Sequence, residues 1–308
     1  MTAVMATALA DRIARVEPPF PWVGGKRRLA REIHALLPPP CPTSTYVEPF
    51  LGAGAVFFSR RPRGVEVVND RSQEIINFFR VLRDDGDNLV RYLQNVPYSR
   101  SLFYKWRNLA SDDMTPLERA AKFFYLARSA FVGESTGRTP SWAFARVDNR
   151  ARSMAFVVDH ELLLVRDRLR YAYIENDDAV MVIERFDGPD TIIYCDPPYL
   201  AETRSDGGYE HELSADDHTR LLSALKGAQG YVAISGYPSE LYATLLECDG
   251  WEWRDFALRC KANQSSERVD WQGMERVERV WLNPRLAEWN REHASRPATL
   301  NLFGDGAE

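Results

Sequence analysis

The chain has little cysteine. Four in 308 residues (Cys41, Cys195, Cys248 and Cys260), with no CxxC pair, give neither a disulfide framework nor a zinc cluster. No metal is expected, and a reducing cytoplasm is the expected compartment. Long apolar runs are missing too: no stretch approaches the ~18 uninterrupted apolar residues of a membrane span, so no membrane partner is expected. The start, MTAVMATALADRIARVEPP, lacks the basic segment and apolar core of a signal peptide, and residues 1–17 read as a flexible tail. Positive charge is also in deficit. The formal net charge is −5, which for the chain as a whole speaks against a nucleic-acid partner. Internal repeats and low-complexity tracts are absent.

The charge is unevenly spread. Residues 97–154 hold ten Lys/Arg against five Asp/Glu, a surplus of five that leaves the remainder at −10. A basic module set in an acidic scaffold fits this pattern. The same region carries ten aromatics between Tyr98 and Phe144. Aromatics there serve either to stack on bases or to fill a helical core. The apolar face of LERAAKFFYLARSAF reads as core, and the loop 133–152 is the better candidate for touching phosphates.

With 45% hydrophobic residues, the length suits one large or two modest globular domains. Candidate strands are Thr45–Pro49, Val65–Asn69, Tyr171–Glu175, Thr191–Cys195, Tyr231–Ser235, Glu252–Arg259 and Arg276–Leu282. Helical patterns fall at Lys26–Leu37, Arg71–Arg83, Ala215–Lys226 and Ser239–Glu247. Alternation of this kind predicts a doubly wound, mostly parallel α/β sheet of seven strands, the last two forming an antiparallel hairpin on one edge. The alternation breaks between residues 86 and 165, which reads as an inserted helical domain. The rest of the fold then comprises residues 18–85 and 166–290, with a flexible tail at 291–308.

Four stretches carry chemistry. TYVEPFLGAGAVFFSRR reads strand, glycine turn, helix, and Gly52 and Gly54 allow backbone to approach a ligand. Two glycines rather than the three of a dinucleotide site suit a ligand with an adenosine and no phosphates. In GVEVVND, Asp70 ends a second strand about twenty residues later, where such folds place a carboxylate on ribose hydroxyls. A helix cap is the other reading of Asp70. In PPFPWVGGKRRLA, Trp22 beside a Gly24–Gly25 turn and Lys26 suits covering an adenine face or a sulfonium, or simply caps the fold.

The fourth stretch is TIIYCDPPYL. Proline cannot continue a central strand, so Pro197 and Pro198 end it and leave Asp196 at its carboxyl edge, where open α/β sheets bind ligands. An exocyclic amine on a nucleobase is a poor nucleophile until acceptors aimed at its hydrogens localise the nitrogen lone pair. Asp196 and the Pro197 carbonyl are such acceptors, stiffened by the prolines. Tyr199 suits stacking on a base that has left its helix.

In this order, PPFPWVGGK, YVEPFLGAGAVFF, VVND and YCDPPY resemble the DNA adenine-N6 methyltransferases of the Dam-like, D12 type, over nearly the whole chain from Pro18 to Pro284. The resemblance implies an S-adenosylmethionine-dependent enzyme with a seven-stranded methyltransferase fold, acting on adenine in duplex DNA through the inserted recognition domain. It implies cofactor contacts from Trp22, Lys26, Glu48, Phe50, Gly52, Gly54, Asp70 and Asp196, and catalysis by Asp196, Pro197, Pro198 and Tyr199. Asp178, or neighbouring Asp177, matches the acid that reads the cofactor adenine. Arg128, Arg138, Arg146 and Arg150 are the candidate DNA contacts, and a cognate restriction endonuclease is a candidate partner.

Other readings stay open at this level. Cytosine N4 or an RNA base keeps the chemistry and changes the amine. A nicotinamide-dependent oxidoreductase uses the glycine turn and Asp70 but explains neither DPPY nor the basic insert. A catalytically silent DNA-binding module leaves an intact DPPY without a role. Finally, Leu300, Leu302 and Phe303 in the ATLNLFGDGAE tail resemble peptides that dock on a replication sliding clamp, without their usual leading Gln.

Overall fold

The β-branched runs that end in turn residues all become strands. The computed structural model describes residues 16–22, 24–130, 141–143, 149–203, 212–258 and 276–293. Its strands are β1 (Thr45–Glu48), β2 (Val65–Asn69), β3 (Ala172–Glu175), β4 (Thr191–Cys195), β5 (Tyr231–Gly236), β6 (Glu252–Leu258) and β7 (Arg276–Leu282). They form one seven-stranded sheet in the order β3-β2-β1-β4-β5-β7-β6. The first five pair in parallel. β7 runs antiparallel between β5 and β6, so the expected hairpin closes the edge with its second strand inward.

The helices in chain order are α1 (Ala30–Leu36), α2 (Ala55–Ser59), α3 (Gln73–Gln94), α4 (Arg100–Asn108), α5 (Pro116–Ser129), α6 (Arg150–Phe156), α7 (Leu162–Leu169), α8 (Ala179–Phe186), α9 (Ala215–Gly227), α10 (Glu240–Leu245) and α11 (Pro284–His293). Lys26–Arg28 form a separate 3-10 turn rather than the start of one long helix. The helix α3 runs past Arg83 to Gln94, with Asp85 non-helical at a kink. That kink falls where the insert was expected to begin. Both α8 and α11 go beyond the helices read from the sequence, and α11 carries three residues of the expected tail, Arg291–His293. At the other end, Val16 is buried although it falls in the expected N-terminal tail.

Period-two alternation gives the sheet two apolar faces. Tyr46, Val68, Ile192, Tyr194, Ala233, Val280 and Leu282 belong to one core, continuous with α3, α5 and α7. Val47, Val67, Ile193, Cys195, Ile234 and Trp281 belong to the other, under α8, α9 and α10. The insert shares the first core. Phe124 on α5 stacks on Phe78 of α3 at 5.6 Å, and Phe123 meets the edge of Phe20 at 5.1 Å. α5 starts in a capping box of Thr115 and Glu118 with Pro116 at its first turn. A buried Arg168–Glu66 pair, with both nitrogen–oxygen distances at 2.7 Å, pins α7 to β2. Desolvating both charges offsets much of their attraction, so the pair adds little net stability.

Candidate active site

Three parallel strands end beside one cavity of about 450 Å³, whose walls include Trp22, Lys26, Phe50, Gly52, Asp70 and Asp196. The glycine turn explains its own residues. Gly52 has φ +52°, and a Cβ there would lie 2.8 Å from the Trp22 indole, so only glycine lets the ring close over the turn. Gly54, with φ +75°, caps α2 and abuts Phe58 rather than lining the cavity. Asp70 accepts hydrogen bonds from the Gly52 N–H at 2.8 Å and the Ser72 N–H at 2.9 Å. It therefore ties the glycine turn to Ser72, the residue that precedes α3 and stands at its N-cap, while also walling the cavity; Asp70 is not itself the helix cap.

Asp196 is placed by β4, whose alternation puts Ile192, Tyr194 and Asp196 on one face. Its Oδ1 lies 2.7 Å from the Lys26 Nζ. That ammonium also lies 2.8 Å from Glu278 Oε1 and donates to the Gly24 carbonyl at 2.8 Å. The Tyr199 phenol donates to the same Glu278 oxygen, and its ring stands 5.0 Å from Lys26 Nζ and edge-on to Tyr237. Lys26, Glu278 and Tyr199 are all buried. Burial opposes the charge on Lys26, yet Asp196 and Glu278 together hold its pKa above the ordinary lysine value. The Asp196 carboxyl is held above the ordinary aspartate value: burial raises it most, the Lys26 ammonium pulls it down, and Glu278 raises it again.

Glu48 lines the same cavity, with the Tyr46 phenol donating to its Oε2 at 2.7 Å. Burial, with the Asp196 charge adding to it, pushes the Glu48 carboxyl up to about 8. That shift favours the protonated form of Glu48 near neutral pH.

A model of the D12 class N6 adenine-specific DNA methyltransferases matches residues 22–245, from the Trp22 segment to the end of α10. The chain belongs to that family. Among its relatives, a Type II methyltransferase of Lactococcus lactis subsp. cremoris is 33% identical over 243 residues, 73% of this chain and 83% of its own length. A DNA adenine methylase of Haemophilus influenzae is 26% identical over 233 residues, 71% of this chain and 77% of its own.

The methyl donor of this D12 methyltransferase is S-adenosylmethionine, and the residues present fit it. The cavity lies within the size range of small-molecule sites. Its walls carry the acids Glu48, Asp70, Asp196, Glu212 and Asp217 against the cations Lys26 and Arg71, and Lys26 is spent on carboxylates. Such a lining suits hydroxyls and a sulfonium and disfavours a pyrophosphate, which weighs against a dinucleotide.

The remaining expected residues fall in several places. Asp178 caps α8, accepting from the Val180 and Met181 N–H groups, and pairs with both Arg220 nitrogens at 2.9 and 2.7 Å. Asp177 holds Arg185. Both acids line a smaller neighbouring cavity of about 40 Å³ that shares Phe50 and Arg71 with the main one. Pro198 is on the main cavity wall, whereas Pro197 and Tyr199 are not. Arg128 faces inward, donating to the Pro19 carbonyl at 2.8 Å and to Ser153 at 3.2 Å. Arg150 opens α6. Arg138 and Arg146 lie outside the described residues.

Sequence reasoning missed Glu278. The signal was available: in RVERVWL the alternation that buries Val280 and Leu282 puts Glu278 on the same face. An acid at a core position demands a partner.

Proposed function

We propose that the chain methylates the N6 amine of an adenine turned out of duplex DNA, with Asp196 as the acceptor at that amine. One observation carries this reading. Asp196 stands at the end of β4 on the wall of the same cavity as the Gly52 turn and Asp70, so an amine at Asp196 is beside whatever that cavity holds. When bound, S-adenosylmethionine supplies an electrophilic methyl group on a sulfonium. Asp70 is then suited to its ribose hydroxyls, Trp22 and Phe50 to its flat and cationic parts, and Asp178 to its adenine edge across the smaller cavity.

Asp196 accepts an N6 hydrogen bond, with the Pro197 carbonyl as the second acceptor, and localises the nitrogen lone pair toward the cavity. Its negative charge then opposes the positive charge that builds on N6 as the new bond forms, an electrostatic effect prepared before the reaction. Stacking on the base falls to Tyr199. That role requires one face of its ring to be uncovered, and Tyr237, packed edge-on at 4.8 Å, is the neighbour that has to give.

The DNA surface is assigned to the insert, through Arg150 together with Arg138 and Arg146, which lie outside the described residues, while Arg128 is occupied by the Pro19 carbonyl and Ser153. A cytoplasmic location, a cognate restriction endonuclease and a clamp contact through Leu300, Leu302 and Phe303 belong to the same proposal; that tail lies outside the described residues. Among the described residues no helix is long and apolar enough to cross a membrane.

Sequencing DNA from cells that express the protein, with modified-base detection, tests the reading. N6-methyladenine at a recurring site is the expected result. N4-methylcytosine, or no modified base, would contradict it.

A further inference from the structure

Glu278 lies on β7, beyond the residues matched by the family model. Only 4% of it is exposed. Its Oε1 receives both the Lys26 ammonium and the Tyr199 phenol. An ammonium has three donors, and here all three are committed: to Asp196, to Glu278 and to the Gly24 carbonyl. The cluster thus sets one cation between two carboxyl groups, and with both ionised one negative charge is in excess.

That excess matters for the amine. With Glu278 neutral, Lys26 would offset Asp196 alone, and a nitrogen becoming cationic would face a neutral pair. In a buried site such a redistribution of charge is weakly screened. We infer that Glu278 is a positioning residue for methyl transfer: it draws the Lys26 charge partly off Asp196 and anchors the Tyr199 phenol, so that Asp196 keeps its strength as acceptor. This inference rests on the reading of Asp196 as the acceptor at the amine.

Two substitutions separate charge from shape. Glu278→Gln keeps the shape and loses the charge, whereas Glu278→Asp keeps the charge and shortens the reach. Single-turnover methylation at saturating DNA and S-adenosylmethionine should fall roughly 10- to 100-fold in Glu278→Gln, and less in Glu278→Asp. Calorimetric affinity for S-adenosylmethionine should stay within about threefold of wild type, and the melting temperature should hold. In a Lys26→Met background, the further loss from Glu278→Gln should shrink to roughly threefold or less, since no ammonium is left to offset.

A wild-type rate in Glu278→Gln, a Glu278→Asp variant slower than Glu278→Gln, or equal losses in both backgrounds would overturn the inference. The ordering of the Gln and Asp variants decides the matter alone if the Lys26 background is too slow to read. Asp196→Ala in the same assay keeps the failures apart. If it retains the wild-type rate, the reading of the site itself falls. If it is inactive while the Glu278 variants are normal, only the role of Glu278 falls.

Discussion

Asp70 and Asp196 occupy matching places, each following a parallel strand and walling the same cavity, yet they are held in opposite ways. Asp70 takes two backbone N–H groups, from Gly52 and Ser72. These donors are uncharged and come from neighbouring turns. Asp196 faces an ammonium from the 3-10 turn Lys26–Arg28, itself held by a carboxylate from the last strand. The difference matches the demands of the two roles proposed for them. An acid that binds hydroxyls needs a fixed position, which backbone dipoles give. An acid that meets a nitrogen turning cationic needs a tuned charge, which burial and neighbouring charges give.

The sharpest way to break this contrast is Asp196→Asn. The substitution keeps the shape and removes the charge, and single-turnover methylation should fall on the order of 10²- to 10³-fold, as for loss of a preorganised group. A mild loss would mean that geometry, not charge, is what Asp196 supplies. Next in size is Asp70→Ala. It should weaken S-adenosylmethionine binding by about 1.5–3 kcal/mol, the range for hydrogen bonds to a charged group. Its melting temperature should fall too, because the glycine turn loses its tie. Unchanged affinity by calorimetry would reduce Asp70 to a turn-former.

Smaller effects extend the comparison outward. Neutralising Arg138, Arg146 and Arg150 should flatten the salt dependence of DNA binding by roughly one log–log unit per lost phosphate contact. An unmoved slope would put the DNA elsewhere. Glu48 offers a test on the cavity wall itself. Its raised carboxyl pKa means that its protonated form favours the fold fully below the ordinary value of 4.5, and that this contribution is lost as pH rises through about 8. Glu48→Gln should therefore melt with a flatter pH dependence between those values. Parallel curves for the two proteins would contradict a proton held at Glu48.

The legibility of this molecule in its sequence follows the same division. β1, β2 and β4 with their terminal motifs were readable because strand, turn and acid are adjacent in the chain. The Asp70 bond to Gly52 spans only 18 residues. Alternation also gave the seven strands and the antiparallel close. The partners of Asp196 were not readable, since Lys26 and Glu278 are both far from it in the chain, and Glu278 reaches the site on β7, which lies between β5 and β6. The inward turn of Arg128 was hidden for a similar reason. Its partner, the Pro19 carbonyl, lies 109 residues away, and composition alone made every arginine of the insert look free. The aromatics there were half legible: Phe103, Trp106, Phe124 and Tyr125 are buried, as the helical-core reading held.

The central claim is that the two acids divide binding from chemistry, and one paired measurement tests it most directly. Asp70→Ala and Asp196→Ala are taken side by side through calorimetric titration with S-adenosylmethionine and single-turnover methylation at saturating cofactor and DNA. A crossover is the expected result: Asp70→Ala loses affinity roughly 10-fold or more and, once saturated, recovers most of the rate, whereas Asp196→Ala binds within a few-fold of wild type and loses at least ~10²-fold in rate. Parallel losses in both quantities, or a near-normal saturated rate in Asp196→Ala, would contradict it.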